Sequence, residues 1–153
     1  MIFKQIEEIL NGKKTQTRRV VKDCETLLLE VDNRTTVYTN NRIKWQVGRT
    51  YAVVPKRGAA TYIHNGNPTR IRITNIRKEP LQEITLKDAR AEGIWLDGDC
   101  WHTSVMPARM IWSDPRSAYQ NLWKAINKTR GARWEDNPTV FVIDFELVEE
   151  QQS

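Results

Sequence analysis

The sequence is poor in residues that bind metals or form disulfides, with two cysteines and two histidines among 153 residues. Neither pair has the spacing of a zinc site or a redox motif, so we predict two free thiols and neither a metal nor a cofactor. There is also no apolar run of about 18 residues, the length that a membrane-spanning helix needs. The first segment, MIFKQIEEILNG, lacks the basic and then apolar layout of a signal peptide. These absences predict a cytoplasmic protein with no membrane partner.

The composition that remains is basic and moderately apolar. The net charge is +5, and hydrophobic residues make up 39% of the chain, including six tryptophans. A chain of this length and apolar content is expected to form a single domain over residues 1–153. The positive charge favours a polyanionic partner such as nucleic acid, although a basic protein without such a partner fits the composition equally well. The last residues, ELVEEQQS, are acidic.

Helical spacing of apolar residues predicts three helices, within residues 2–11, 84–93 and 113–131. In the second helix, Thr85 is expected to cap the first turn and Asp88 to complete a capping box. The stripe of the third helix is typical of core packing and comprises Ala118, Tyr119, Leu122, Trp123 and Ile126.

Segments rich in β-branched and alternating apolar residues predict strands at 26–31, 35–39, 50–54, 69–76 and 139–150. In the fourth of these, TRIRITNI, the isoleucines face one side while Arg70 and Arg72 face the other. Short strands with helices at the margins indicate an α+β fold built on a small mixed or antiparallel β-barrel.

The stretch GKKTQTRR, from Gly12 to Arg19, follows the first predicted helix and concentrates positive charge. Its simplest interpretation is a solvated basic loop, and a phosphate-binding patch is the next. A catalytic interpretation also exists, because neighbouring cations depress the pKa of a lysine such as Lys14. A base of that kind could activate the Thr17 hydroxyl, which is unreactive by itself at pH 7.

Glu92 lies in the last turn of the second predicted helix, directly before Gly93. The exposed carbonyls at a helix C-terminus disfavour a carboxylate there by roughly 0.3–1 kcal/mol. Considered by itself, Glu92 is most simply a surface residue. An unfavourable local choice can also mark a functional site, so Glu92 is kept as a candidate.

Five segments resemble the ASCH domain, a PUA-like β-barrel family. They are ILNGKKTQTRR, VGRTYAVV, TRIRITNI, LKDARAEG and FVIDFELV, and they occur in order over most of the chain. The segment NLWKAIN followed by RWEDNPTVFVIDFE is similar to versions found in phage and prophage proteins. The resemblance implies an enlarged insertion at about residues 95–135, before the last strand.

The resemblance implies that RNA or a nucleotide-like ligand binds in a cleft beside GKKTQTRR. Some small bacterial members of the family are metal-independent amidohydrolases that deacetylate acetylated cytidine with a lysine, a threonine and a glutamate. Those residues fall on Lys14, Thr17 and Glu92, which implies a threonine nucleophile, a lysine base or oxyanion partner, and a glutamate proton relay. Another member has been described as a ribonuclease, so ribonuclease activity is a weaker alternative.

Further candidates for ligand contact are mostly cationic. Arg19 matches an arginine of the family motif, Trp101 is a candidate for stacking against a base, and a turn at VPKRGA suits a phosphate. The complete set of predicted ligand-binding residues is Lys13, Arg18, Arg19, Lys56, Arg57, Arg70, Arg72 and Trp101.

Overall fold

The computed structural model describes residues 1–103 and 114–149. Three α-helices are present in this part of the chain, α1 (Ile6–Leu10), α2 (Leu86–Ala91) and α3 (Pro115–Ile126). Single 3-10 turns occur at Leu81–Glu83 and Trp134–Asp136. The strands are β1 (Gln16–Val20), β2 (Glu25–Leu29), β3 (Thr35–Thr39), β4 (Arg42–Gln46), β5 (Thr50–Ala52), β6 (Ile63–His64), β7 (Asn67–Pro68), β8 (Arg70–Pro80), β9 (Trp95–Asp97), β10 (Cys100–His102) and β11 (Thr139–Leu147).

The strands form two antiparallel sheets and two small hairpins. A four-stranded sheet has the order β1-β11-β8-β5, and a three-stranded sheet has the order β2-β3-β4. The hairpins pair β6 with β7 and β9 with β10. The longest pairing joins β11 to β8, and its register shifts at Asp144 and Phe145, which marks a local bulge.

The two sheets curl around a shared core. Val37 and Trp45 of the three-stranded sheet pack with Ile73, Phe141 and Ile143 of the four-stranded sheet. On the other face of β11, Val140 and Val142 pack against α2 and α3. Because both faces of β11 are buried, its sequence is a nearly continuous apolar run. The predicted α+β fold, a small curled barrel of strands with flanking helices, is confirmed.

Several predicted elements are confirmed. Asp114 accepts a hydrogen bond from the Ser117 amide at the start of α3, and Pro115 occupies the first turn. Thr85 caps α2 by accepting from the Asp88 amide. The Asp88 carboxylate binds arginines from β1 and β8, at Arg18 and Arg77, a role that the predicted capping box did not include.

The prediction of a helix over residues 2–11 is wrong in its first half. Ile2 forms a parallel β-bridge with Val54, and α1 begins only at Ile6. The apolar residues at the start of the chain therefore pack as an extended segment against the sheet. Strand β1 was not predicted, because in QTRRV the apolar residues needed for a strand pattern are mostly replaced by arginine and threonine. Strand β4 was likewise missed.

The predicted insertion at residues 95–135 contains β9, β10 and α3 and ends within the second 3-10 turn. Its residues 104–113, with Trp112, lie outside the described residues, as do residues 150–153 of the acidic end. Among the helices of the described part, none has the length and apolar character needed to cross a membrane.

Candidate functional site

The turn between α1 and β1 places Lys14 against the end of α2. The Lys14 amide donates to the Glu8 carbonyl, and the Thr15 amide donates to the Ala91 carbonyl. Lys14 and Glu92 form an isolated antiparallel bridge. Gly93 permits this approach: its φ is +94°, and a Cβ there would lie 3.2 Å from the Lys14 Cβ and 2.9 Å from the Gln5 Nε2.

Lys14 and Glu92 form a buried ion pair. The Lys14 Nζ donates to the Glu92 Oε2 at 2.8 Å, to the Glu92 carbonyl at 3.0 Å and to the Gln16 carbonyl at 2.8 Å. Both side chains are 4% exposed. Burial lowers the pKa of Lys14, and the Glu92 carboxylate opposes part of this effect. The interpretation of Glu92 as a surface residue is therefore wrong, because the chain folds its helix-end carboxylate onto a lysine.

Arg18 is fully buried among carboxylates and binds Glu92 as well. Its Nη1 lies 3.1 Å from the Glu92 Oε1, while its Nη2 lies 2.6 Å from Glu79 and 3.2 Å from Asp88. Strand β8 and helix α2 supply these two further carboxylates. Since these contacts occupy both terminal nitrogens, Arg18 holds the site together, and among the described residues only its buried Nε is left without an acceptor.

Arg19 differs from Arg18 in having no carboxylate within ion-pair distance among the described residues. Its Nη2 donates to the Ile2 carbonyl at 2.6 Å, and its guanidinium lies 5.2 Å from the centre of the Phe3 ring. Its Nε is buried without an acceptor in the described part of the chain. Burial lowers the pKa of Arg19. A cation with spare donors therefore faces the interior of the site.

These residues line one cavity of about 610 Å³, a volume within the usual range for small-molecule sites. Thr17 also lines it, and the hydroxyl makes no hydrogen bond with any described residue. The only carboxylate side chain among the described lining residues is that of Glu92. The cationic side chains that line the cavity are Lys4, Lys14, Arg18, Arg19, Lys22 and Lys44.

Helix α3 supplies an aromatic wall. Tyr119 and Trp123 line the cavity, although both are also buried in the core. Burial raises the pKa of Tyr119 well above its ordinary value, and the negative charge of Glu92 raises it further. The phenol therefore remains protonated at neutral pH beside the Lys14–Glu92 pair.

The structure brings five of the predicted residues to this cavity, namely Lys14, Thr17, Arg18, Arg19 and Glu92. Their catalytic and binding roles stay predictions.

The other predicted residues lie elsewhere. Lys56 and Arg57 are exposed in a turn. The Lys13 Nζ lies over the Trp95 ring, 4.1 Å from its centre. The Trp101 ring packs against the core, and the Arg90 guanidinium lies over it, 5.6 Å from its centre.

Arg70 and Arg72 lie on β8, and their side chains bind residues of the neighbouring strands β5 and β11. Arg70 donates to the Thr50 hydroxyl at 3.0 Å, and Arg72 forms an exposed ion pair with Glu146 at 3.3 Å. Neither lines the cavity.

Sequence reasoning missed the cavity residues Lys4, Lys22, Lys44 and Trp45. The lysines are single charges in separate segments, and only the folding of the chain collects them at one opening. The apolar stripe of α3 was visible in the sequence. Such a stripe predicts packing against the core, however, and does not show that the same residues also line a cavity. Among the described residues, no cluster of histidine, cysteine and carboxylate side chains is suited to a metal ion.

Comparisons with known proteins add one structural likeness. No family model and no curated protein matches this chain. A high-resolution crystal structure of an ASCH domain from Lactobacillus crispatus JV V101 is 16% identical, and the match covers 94% of this chain and 69% of that chain with a TM-score of 0.47. Likeness at this level assigns neither ligand nor residue roles, so the proposals below depend on the geometry of this chain.

Proposed function

We propose that this protein binds a nucleotide, free or as a unit of RNA, in the cavity lined by Lys14, Thr17 and Arg19. The observation that carries this proposal is the charge of the described lining, which contains six cationic side chains and one carboxylate, that of Glu92. Lys14, Arg18 and Lys44 are paired with carboxylates, Lys44 with that of Glu25. Lys4, Lys22 and Arg19 have no carboxylate within ion-pair distance among the described residues. The unneutralised positive charge favours an anion, and the cavity size suits a nucleotide.

The free cations are the expected phosphate contacts. Lys4 and Lys22 are exposed and have no carboxylate within ion-pair distance among the described residues. Arg19 lies deeper and has unused donors, which suits an oxygen of a phosphate or of a base. Thr17, with its unengaged hydroxyl, supplies a donor or acceptor for the base edge. The resemblance of GKKTQTRR to the ASCH motif agrees with this class of ligand.

Calorimetric titration with CMP, cytidine and a short oligocytidylate tests the proposal. We expect CMP to bind at least about tenfold more tightly than cytidine, because one hydrogen bond between charged groups is equivalent to roughly 1.5–3 kcal/mol. Lys4→Ala combined with Lys22→Ala should reduce this preference and weaken the salt dependence of oligocytidylate binding. Lys87→Ala, which removes an exposed lysine of α2 outside the cavity, is the matched control. Equal affinity for CMP and cytidine, or no binding of either, would reject the proposal.

A second candidate function is metal-independent hydrolysis of an acylated cytidine. It is favoured by the presence of Thr17 in the same cavity as the Lys14–Glu92 pair. The three acceptors around the Lys14 Nζ fit an ammonium group, so Lys14 must first pass a proton to Glu92 in order to act as a base. The lowered pKa of Lys14 makes this transfer less costly.

In this reaction the Thr17 oxygen attacks the amide carbon and its proton passes to Lys14. The C–N bond then breaks, the leaving amine takes the proton held by Glu92, and an acyl ester remains on Thr17. Water hydrolyses that ester, releasing the carboxylic acid and restoring the hydroxyl. The reaction consumes one water and needs no metal or redox partner.

Incubation with acetylated cytidine, followed by chromatography, tests the second candidate. Wild type should release cytidine and acetate, whereas Thr17→Val and Lys14→Ala should lose at least about a hundredfold in rate. A urea denaturation midpoint close to that of wild type confirms that Thr17→Val is folded. If wild type does not turn over acetylated cytidine but still binds CMP, the cavity is a binding site only.

A further inference from the structure

Strand β2 (Glu25–Leu29) has an open edge. It is the end strand of the three-stranded sheet and, among the described residues, pairs with β3 alone. Edge strands of natural proteins usually carry a lysine, a proline or a bulge that prevents pairing with another chain. The sequence of β2 is ETLLL, and its pairing with β3 runs without a register shift. None of the usual protective features is therefore present on this strand.

The open edge presents backbone hydrogen-bonding groups at alternate residues. The Glu30 amide donates to the Arg34 carbonyl, so residue 30 and every second residue before it direct their backbone groups toward β3. The amides and carbonyls of Leu27 and Leu29 consequently point the other way, toward the open edge. Only another extended strand matches donors and acceptors with this spacing.

The same edge is apolar. Leu28 is 50% exposed, Leu29 is 70% exposed and Val31 is fully exposed. Of the nine large apolar side chains that are exposed among the described residues, these three lie within four positions of the sequence. Single exposed apolar side chains are common on protein surfaces, whereas a contiguous group of them indicates an interaction surface.

The negative charges of this segment are already engaged within the chain. The Glu25 carboxylate accepts hydrogen bonds from the Lys22 amide and from the Lys44 Nζ, and the Glu25 side chain is 1% exposed. The Glu30 carboxylate accepts from the Tyr38 hydroxyl. These contacts reduce the repulsion that would otherwise keep two copies of the segment apart.

We infer that β2 pairs antiparallel with β2 of a second copy of this chain, across a two-fold axis at Leu28. In this register Leu27 faces Leu29 of the second copy, so the outward backbone groups of both residues find partners. The two Leu28 side chains meet on the axis and cover each other. Thr26 faces Glu30 of the second copy, so no like charges lie opposite each other.

This pairing joins two three-stranded sheets into one sheet of six strands. The interface is closed, because the same edge is used on both copies and no open edge of β2 remains. A second copy is the expected partner since the segment is complementary to itself in backbone pattern, in apolar contacts and in charge. The inference does not depend on nucleotide binding.

Sedimentation velocity of the full chain at concentrations up to about 1 mM tests the inference. Wild type should form a dimer of twice the 17.9 kDa mass, with a dissociation constant of about 1–100 µM because one strand pair makes a small interface. Leu28→Lys should weaken the dimer at least about tenfold, since it places two like charges opposite each other on the axis. Leu96→Lys, at a strand leucine that is 54% exposed on β9, is the matched control. A wild type that stays monomeric or forms larger open assemblies would overturn the inference, as would a dimer that Leu28→Lys leaves intact.

Disulfide trapping tests the register and remains decisive if Leu28→Lys folds poorly. Facing residues of a non-hydrogen-bonded antiparallel pair have Cα atoms about 4.5 Å apart, within the range of about 4.4–6.8 Å that disulfides span. In a Cys24→Ser background, which removes the neighbouring exposed thiol, Leu28→Cys should form a disulfide-linked dimer in oxidised glutathione. Thr26→Cys in the same background is the control and should run as a monomer on a non-reducing gel, because it faces Glu30 of the second copy. Absence of a cross-link in Leu28→Cys, or equal cross-linking of the two variants, would overturn the register.

Discussion

Two stretches of this chain contain adjacent cations but lie in opposite environments. GKKTQTRR contributes Lys14 and Arg18, which are 5% and 4% exposed, whereas the VPKRGA turn leaves Lys56 and Arg57 in solvent. The difference comes from distant segments, because α2 and β8 bring carboxylates to the first stretch and none to the second. A run of cations thus becomes a site only where the fold supplies acids that allow its burial.

The largest effect is expected from removing the shared carboxylate. Glu92→Gln leaves Lys14 buried without its anion and takes one partner from Arg18. We expect it to lower the free energy of unfolding by about 3–5 kcal/mol, as measured by urea denaturation. The control is Glu146→Gln, since Glu146 is 57% exposed in its pair with Arg72 and should change stability by less than about 1 kcal/mol. Similar losses in the free energy of unfolding of the two variants would show that the buried Glu92 ion pairs stabilise the fold no more than an exposed pair does.

The next largest effect concerns the close approach of Lys14 to the end of α2. Gly93→Ala imposes a Cβ at a φ of +94° and 2.9 Å from the Gln5 Nε2. We expect a loss of about 1–3 kcal/mol in the free energy of unfolding and weaker CMP binding. Gly58→Ala shares a positive φ of +77° but has nothing within 4 Å of the added Cβ, so it should retain CMP affinity. Undiminished CMP affinity in Gly93→Ala would show that the close approach at Gly93 is not needed for CMP binding.

A pH dependence is expected from Tyr119. Its pKa is raised above 10.0, so the folded protein keeps a proton that the unfolded chain releases above about pH 10. The stabilisation of the folded state by the protonated Tyr119 phenol is complete below about pH 10, and it is lost as the pH rises through the raised pKa of the folded state. The free energy of unfolding of Tyr119→Phe should therefore fall less steeply between pH 9 and 11 than that of wild type. Tyr62→Phe, at an exposed tyrosine, is the control, and parallel curves for Tyr119→Phe and wild type would contradict the assignment.

The smallest effect is expected in the exposed turn. Lys56→Ala and Arg57→Ala should each change stability by less than about 0.5 kcal/mol, because both side chains are solvated. Their CMP affinity should equal that of wild type in calorimetry. A marked loss of affinity in either variant would move the binding surface to this turn and away from the cavity.

The sequence predicted those elements whose patterns are strong and local. The α3 stripe, the α2 cap at Thr85 and the apolar strand β11 all have a regular periodicity or a known cap. Strand β1 was missed because arginines occupy positions at which a strand usually presents apolar residues. The burial of Arg18 depends on Glu79, Asp88 and Glu92, which lie more than 60 residues away in sequence.

The site was predictable where a motif exists and unpredictable where it depends on packing. The GKKTQTRR motif and the unfavourable helix-end position of Glu92 indicated Lys14, Thr17 and Glu92 as site candidates, and all three line one cavity. Lys22 and Lys44 had no such signal, since each is one lysine among many. The α3 stripe was interpreted as core alone, because periodicity predicts which face is apolar but not whether that face is fully covered.

Amide chemical-shift mapping of isotope-labelled protein during titration with CMP tests the central claim most directly, because it observes both basic stretches at once. We predict saturable shifts at residues 14–22, at Trp45, at Glu92 and Gly93, and along the second half of α3, with Lys56 and Arg57 unchanged. Shifts centred on Lys56 and Arg57, or no saturable shift around Lys14 and Thr17, would contradict the account.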